Sequence, residues 1–309
     1  MTDRSVVTVG AFDGVHLGHQ ALIRQVRDQA FALGILGGVV TFEPHPGAVL
    51  GRPPARLTVR EERAEILAEL GVDRLYELRF DARLAGLSAE RFVREILVER
   101  CGMRMLVLGS DGGFGRNRGA NRDTLPPLGK QLGFEVMVVD PVRDEDGQPI
   151  SSSGIRELLL AGRLESAARR LGRPYRMLGT VVPGAGRGRG LGFRTINLAG
   201  PVPEKALPPD GVYAARVEWG GGVAGAMLNQ GIRPTVGDAR RSVEAHLFDF
   251  DGELYGRTVR IEWIERLRDI RRFESLDALR SQLERDREAA GRVLGRFPET
   301  STARPAGAR

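Results

Sequence analysis

The stretch Val9-Gly10-Ala11-Phe12-Asp13-Gly14-Val15-His16-Leu17-Gly18-His19 constrains this chain more than any other, because it sets two histidines and three glycines where a strand turns into a helix. Upstream, Val6-Val7-Thr8-Val9 reads as a buried strand. Downstream, Gln20 to Leu33 carries apolar residues at Ala21, Leu22, Val26, Ala30 and Leu33, a helical period. A helix opening here presents unpaired backbone N–H groups at the positive end of its dipole, and glycines let a phosphate approach them. His16 and His19, at i and i+3, face the same side and can donate to phosphate oxygens as negative charge builds during nucleotidyl transfer. On the residues alone two other readings stay open. One is a half-built metal site completed from His45, His246 or Cys101; the other is a simple surface pair.

The rest of the first half alternates short apolar runs with helical patterns. Strands are expected at Gly38 to Phe42, Leu75 to Phe80, Met105 to Gly109 and Glu135 to Val139, and helices at Arg60 to Leu70 and Ala89 to Glu99. This alternation predicts an α/β domain with a parallel sheet covered on both faces. Ligands of such sheets sit beyond the carboxyl ends of the strands. Three loops fall there: Phe42-Glu43-Pro44-His45-Pro46, Gly109-Ser110-Asp111-Gly112-Gly113-Phe114-Gly115, and Ser151-Ser152-Ser153-Gly154-Ile155-Arg156. The last opens another helix, so its hydroxyls and amides suit phosphate, with Arg156 as a planar fork of donors; an ordinary serine cap is the plainer reading.

Near Leu171-Gly172-Arg173-Pro174 the pattern changes to short strands and glycine turns. Strands are expected at Leu178 to Val182, Gly211 to Glu218, Gly222 to Leu228, Ser242 to Phe248 and Thr258 to Ile264, then a helix from Ser275 to Leu294. That order predicts a small antiparallel barrel with a closing helix. Two domains are therefore expected, 1–173 and 174–296, with 297–309 a disordered tail. A chain of 309 residues has room for two cores.

Several classes are excluded. One cysteine allows no internal disulfide framework, and Cys101 reads as a small helix-end hydrophobe. No run of eighteen apolar residues and no signal segment appears, which predicts a cytoplasmic protein with no membrane role. The formal net charge of +6 points only weakly to nucleic acid, because acidic residues are interleaved with the arginines, and no nucleic-acid partner is expected. Lysine occurs only at 130 and 205, neither in a P-loop context, so any phosphoryl transfer uses another architecture.

The segment Gly10-Ala11-Phe12-Asp13-Gly14-Val15-His16-Leu17-Gly18-His19 resembles the signature of the HxGH nucleotidyltransferases, and in its longer form that of bacterial FAD synthetases, which are bifunctional riboflavin kinase/FMN adenylyltransferases. Ser151-Ser152-Ser153-Gly154-Ile155-Arg156 resembles a further block of that family, with Ser153 in place of a threonine. In the second half, Gly179 to Phe193 is a glycine- and arginine-rich loop able to wrap a polyphosphate. The following Gly192-Phe193-Arg194-Thr195-Ile196-Asn197 is similar to a riboflavin kinase motif, with Arg194 and Ile196 as departures. Asn229 to Thr235 and Val243 to His246 resemble the remaining kinase blocks.

The resemblance implies two activities, phosphorylation of riboflavin to FMN and adenylylation of FMN to FAD, with ATP as co-substrate and Mg²⁺ as cofactor. It implies His16, His19, Arg156 and Glu244 as catalytic, Glu244 being the general base. Phosphate contacts are implied at Gly10, Phe12, Asp13, Gly14, Gly18, Ser151, Ser152 and Ser153, and at Gly184, Gly186, Arg187, Gly188 and Arg189. Flavin contacts are implied at His45, Phe114, Arg116 and Arg233, and metal ligands at Thr195 and Asn197. Gly112 and Gly113 stand where the family usually has an aromatic and a basic residue. A rival reading keeps the nucleotidyltransferase and makes the barrel a ligand-sensing module. The sequence leaves the oligomeric state open.

Overall fold

The structure, a computed structural model, describes residues 3–115, 119–184, 189–199, 204–235 and 238–295. The described residues divide into two compact units. The first runs to Leu159 and takes in Arg169–Arg173 and Glu204–Ala206; the second comprises the rest.

The first unit begins with β1 (Ser5–Val9), α1 (Leu17–Leu33), β2 (Leu36–Glu43), the single turn α2 (Pro46–Val49), α3 (Arg60–Glu69) and β3 (Arg74–Arg79). Short helices α4 (Ala82–Ala85) and α5 (Ala89–Arg91) follow, the latter continuing into a π-helical stretch, Phe92–Arg100. Then come β4 (Met103–Gly109), the two-residue pair β5 (Gly113–Phe114) and β6 (Ala120–Asn121), α6 (Leu125–Leu132), β7 (Glu135–Val139) and α7 (Ser152–Leu160); of the next helix, α8 (Leu164–Leu171), Leu164–Ala168 belong to the second unit and Arg169–Leu171 to the first.

The sheet is parallel, in the order β3-β2-β1-β4-β7. Its central strands are buried nearly throughout, as continuous apolar runs require, while β3 and β7 at the edges are more exposed. All five expected strands are present. Helix α1 buries Ile23, Val26 and Ala30, so the stripe runs through Ile23 and ends at Ala30; Leu33 is 52% exposed. The Ala89 to Glu99 helix is mostly π-helical, and α6 and the β5–β6 pair carry too few periodic residues to have been read from the sequence. Cys101 is buried at the end of the π-helical stretch, and burial pushes its thiol up to about 11, which suits an inert core residue.

The second unit is a closed barrel of β8 (Tyr175–Val182), β9 (Ile196–Leu198), β10 (Gly211–Trp219), β11 (Gly222–Thr235), β12 (Asp238–Leu247) and β13 (Thr258–Arg268), in the order β10-β11-β12-β9-β8-β13. Its interior is filled by one alternation set, including Tyr213, Ala215, Val217, Leu228, Val243, Ala245 and Ile261, all completely buried. On the outer face, α9 (Leu276–Gly295) packs Ala290 and Val293 against Val212, Ala214 and Met227. Six strands rather than five close the barrel. The additional one, β9, is three residues long and lies below the length at which alternation can be seen.

Candidate active sites

In the first unit the neighbours of β1 lead in opposite directions, to β2 and β3 on one side and to β4 and β7 on the other. Their loops therefore part beyond the strand ends, and this is where open α/β sheets bind ligands. A cleft of about 390 Å³ lies there. Gly10, Phe12, His16, Gly18 and His19 line one wall, and Asp111, Gly112, Gly113 and Ser151 to Ser153 line the other.

The turn between β1 and α1 is tight. Phe12 and Val15 adopt left-handed backbone, φ 50° and 40°, at about 1–3 kcal/mol each, and both are held there by complete burial. Gly14 has φ 81°, and a Cβ there would fall 2.8 Å from Leu57 Cδ1.

That turn delivers His16 to the N-cap of α1, where its Nδ1 accepts a long 3.4 Å hydrogen bond from the His19 backbone N–H. In the neutral ring the proton is therefore on Nε2, a donor. The two imidazoles stack, centroids 3.7 Å apart at 20°, and the Phe12 ring lies 4.9 Å from that of His19. The His16 pKa is lowered to about 4, chiefly by burial and also by Arg173, with Asp13 and Asp111 opposing. Burial, then His16 and Arg173, hold His19 well below the usual histidine range. Both rings are therefore neutral at pH 7, as stacking at this distance favours. His19 Nδ1 is buried with no hydrogen-bond partner among the described residues, on a ring that lines the cleft.

Asp13 and Arg156 stand behind this wall rather than lining the cleft. Asp13 is 2% exposed. Its Oδ1 accepts from the Thr58 backbone N–H at 2.9 Å, and its Oδ2 accepts from Arg156 Nη2 at 3.0 Å. Arg156 Nε also donates to the Ala55 carbonyl at 2.5 Å. Ser152 Oγ donates to the Asp13 carbonyl at 2.9 Å, and Ser151 Oγ accepts from Gly154 N–H, so two of the three serines brace the loop.

His45 caps α2 by accepting from Gly47 N–H at 3.0 Å, and it is not among the cleft residues. Phe114 packs in the core, its ring 5.3 Å from that of Phe92. Arg116, Gly186, Arg187 and Gly188, the side chains of Arg189 and Arg233, and the 297–309 tail lie outside the described residues. Sequence reasoning missed Thr58, and it gave no role to Asp111 although it placed the loop that holds Asp111 at the strand ends. Thr58 carries no motif and reaches Asp13 across 45 positions of chain.

In the second unit, strand register rather than a turn gathers the candidates. Glu244 on β12 is paired with Asn197 on β9 and with Asn229 on β11. Directly opposed residues share a face, so Asn229, Glu244 and Asn197 form a row of oxygen-bearing side chains. The row lies on the outer face, because its neighbours Val243 and Ala245 point into the barrel. Gly184 packs on Asn197 so closely that a Cβ there would overlap the Asn197 amide. Beside the row, a cavity of about 120 Å³ is lined by Arg194, Thr195, His246 and Asp251 to Tyr255. The Arg194 carbonyl hydrogen-bonds His246 Nδ1 at 2.8 Å. Among the described residues no cluster of three or more His, Cys, Asp or Glu forms a metal cage.

Residues 1–154 match the family model of FAD synthetase, and residues 171–294 match that of riboflavin kinase. The chain is 40% identical to a bifunctional riboflavin kinase/FMN adenylyltransferase of Pseudomonas fluorescens, over 94% of this chain and 92% of that protein. Proteins of the same description from Escherichia coli K12 and Bacillus subtilis 168 are each 36% identical, over 94% of this chain and 93% of theirs. A solved structure from Streptococcus pneumoniae, described as a macrolide-efflux protein, matches with TM-score 0.84 at 34% identity, covering 94% of this chain and 95% of that one. Among the described residues here, no helix is long and apolar enough to cross a membrane.

Proposed function

We propose, for a chain that belongs to the bifunctional riboflavin kinase/FMN adenylyltransferase family, that the histidine-lined cleft carries the adenylylation and the outer barrel row carries the phosphorylation. The enzyme phosphorylates riboflavin with ATP to give FMN and ADP, then joins FMN to the AMP of a second ATP and releases pyrophosphate. The stacked, neutral His16–His19 pair at the N-terminus of α1, with one buried ring nitrogen left unpaired, is the observation that carries the reading of the cleft.

In the cleft, a phosphate of FMN attacks the α-phosphorus of ATP as the bond to pyrophosphate breaks. Charge accumulates on the phosphate oxygens during this exchange. His16 Nε2–H, His19 and the free N–H groups of the first turn of α1 supply donors already fixed in place, so little reorganisation is needed as charge develops. Gly10 and Gly18 add no side chain of their own beside the rings of Phe12 and His16, and Ser153 offers a further hydroxyl to the cleft. Asp13 and Arg156 hold the wall rigid, and the fork of Arg156 is positioned by both Asp13 and Ala55.

On the barrel, Glu244 takes the proton of the riboflavin 5′-hydroxyl as that oxygen attacks the γ-phosphate of ATP. Thr195 and Asn197 bring a hydroxyl and an amide oxygen to one edge of the barrel beside Glu244, oxygen donors of the kind that would hold Mg²⁺. Bound there, Mg²⁺ supplies charge neutralisation for the transferred phosphoryl group. The reading assigns residues 1–173 to the adenylyltransferase and 174–296 to the kinase, and places the enzyme in the cytoplasm.

The test is a time course of purified protein with riboflavin, ATP and Mg²⁺, its flavins separated by chromatography. FMN rising first and FAD following supports the reading. FAD formation from supplied FMN with no turnover of riboflavin would favour a barrel that only senses ligand.

A further inference from the structure

The second of the two lysines lies outside both motifs, yet it is buried within the unit that carries the histidine-lined cleft. Lys205 falls within the stretch matched by the riboflavin kinase model, but Glu204–Ala206 fold as part of the first unit. The Arg56 backbone N–H donates to the Glu204 carbonyl at 2.5 Å, and the Ala206 N–H donates to the Arg56 carbonyl at 2.7 Å, forming a short parallel bridge. Between these bonds the Lys205 side chain, 1% exposed, runs inward. Its ammonium donates to Glu62 Oε2 at 2.5 Å and to the Leu57 carbonyl at 2.8 Å.

The pair is enclosed on both sides. Glu62 is also 1% exposed, and the same Oε2 accepts from Val59 N–H at 3.0 Å. A carboxylate so placed is tolerable only while its cation is present; removing one partner of a buried pair costs far more than removing both.

We infer that Lys205 is a positioning residue for FMN adenylylation, clamping the segment Ala55-Arg56-Leu57-Thr58 that holds the catalytic wall in register. Every residue of that segment carries part of the load. The Ala55 carbonyl receives Arg156 Nε, and Arg56 makes the backbone bridge to the 204–206 strap and a two-bond pair with Glu43 at 3.0 Å. The Leu57 carbonyl receives Lys205, and its side chain closes over Gly14. Thr58 N–H holds Asp13 Oδ1, and Thr58 Oγ1 accepts from Gly14 N–H at 2.9 Å. Asp13 and Gly14 lie in the turn that delivers His16. The consequence is that residues 1–173 by themselves lack a component of their own site, because the clamp comes from the kinase stretch. The inference rests on the reading of the cleft as the adenylylation site.

The experiment uses the full chain carrying K205M, and separately E62Q/K205M. The double variant leaves no unpaired buried charge, keeps an acceptor for Val59 N–H, and lacks the donation to Leu57. Expected for both variants is a loss of about tenfold or more in kcat for FMN adenylylation, measured below the unfolding midpoint, with riboflavin phosphorylation within about twofold of the parent. T58V is expected to produce a similar kcat loss, and K205M/T58V to be no worse than the weaker single variant, since both break one path. Full kcat in folded E62Q/K205M, or strictly additive losses in the pair, would overturn the inference. H19A is run alongside. If it leaves FAD formation intact, the reading of the cleft fails; if it abolishes FAD formation while E62Q/K205M does not, only the role of Lys205 fails.

Discussion

The two candidate sites of this chain are built by different means. In the first unit the chemistry rests on a tight turn and a helix cap: His16 and His19 lie three residues apart, and the turn before them bends through left-handed backbone at Phe12 and Val15. In the barrel, Asn197, Glu244 and Asn229 stand on three separate strands and are aligned only because β9, β12 and β11 pair in one register. The first is a local device braced from a distance. The second does not exist until the sheet is formed, and a slip of one residue on β12 would turn Glu244 into the barrel interior.

Glu244→Ala tests the barrel most severely. It removes the proposed general base and should lower riboflavin phosphorylation by about 10²–10⁴-fold while FMN adenylylation proceeds at the parent rate, with both followed by chromatography of the flavins. His19→Ala is the mirror experiment. FAD formation from supplied FMN should fall by about 10²–10³-fold with FMN formation unaffected.

Gly184→Ala would force a methyl into the Asn197 amide, so it should weaken riboflavin phosphorylation by about tenfold or more and spare the cleft. An unchanged kinase rate would show that the loop carrying Gly184 moves freely of Asn197. Arg156→Lys keeps a charge but cannot bridge Asp13 and Ala55 with one planar fork, and should cost adenylylation about tenfold.

The smallest effect is on pH. His16 titrates at about 4 in the folded chain against 6.5 in an unfolded one, and His19 is shifted the same way. Between those values the unfolded chain binds more protons, so the first unit should lose stability as pH falls from about 6.5 towards about 4. Above 6.5 these histidines should contribute no slope. Denaturant unfolding of the parent and of His16→Gln at pH 7.5, 6 and 5 measures this, and a parent curve no steeper than the variant's would refute it.

What the sequence revealed follows the same division. The β1 turn, the helix after it and the two histidines were legible because strand, cap and periodicity are contiguous. The five strands of the parallel sheet were legible as continuous apolar runs. Thr58, which holds Asp13, and Lys205, which holds Leu57, have no local signature: their partners lie 45 and 148 residues away. Strand β9 escaped because three residues show no alternation, and with it went the pairing that sets Asn197 opposite Glu244. Phe114 read as a surface for a flavin, but its neighbours in the folded core are Phe92 and the helices around it, which only the fold could show.

The central claim is that two separate sites act in sequence, and a mixing experiment tests it most directly. Folded His19→Ala protein is supplied with riboflavin, ATP and Mg²⁺, as is folded Glu244→Ala protein, first separately and then at equal concentration in one vessel. The account predicts FMN but no FAD from the first, no product from the second unless FMN is added, and FAD from the mixture. Loss of both activities in either folded variant, or no FAD from the mixture while each retains its own step, would contradict it.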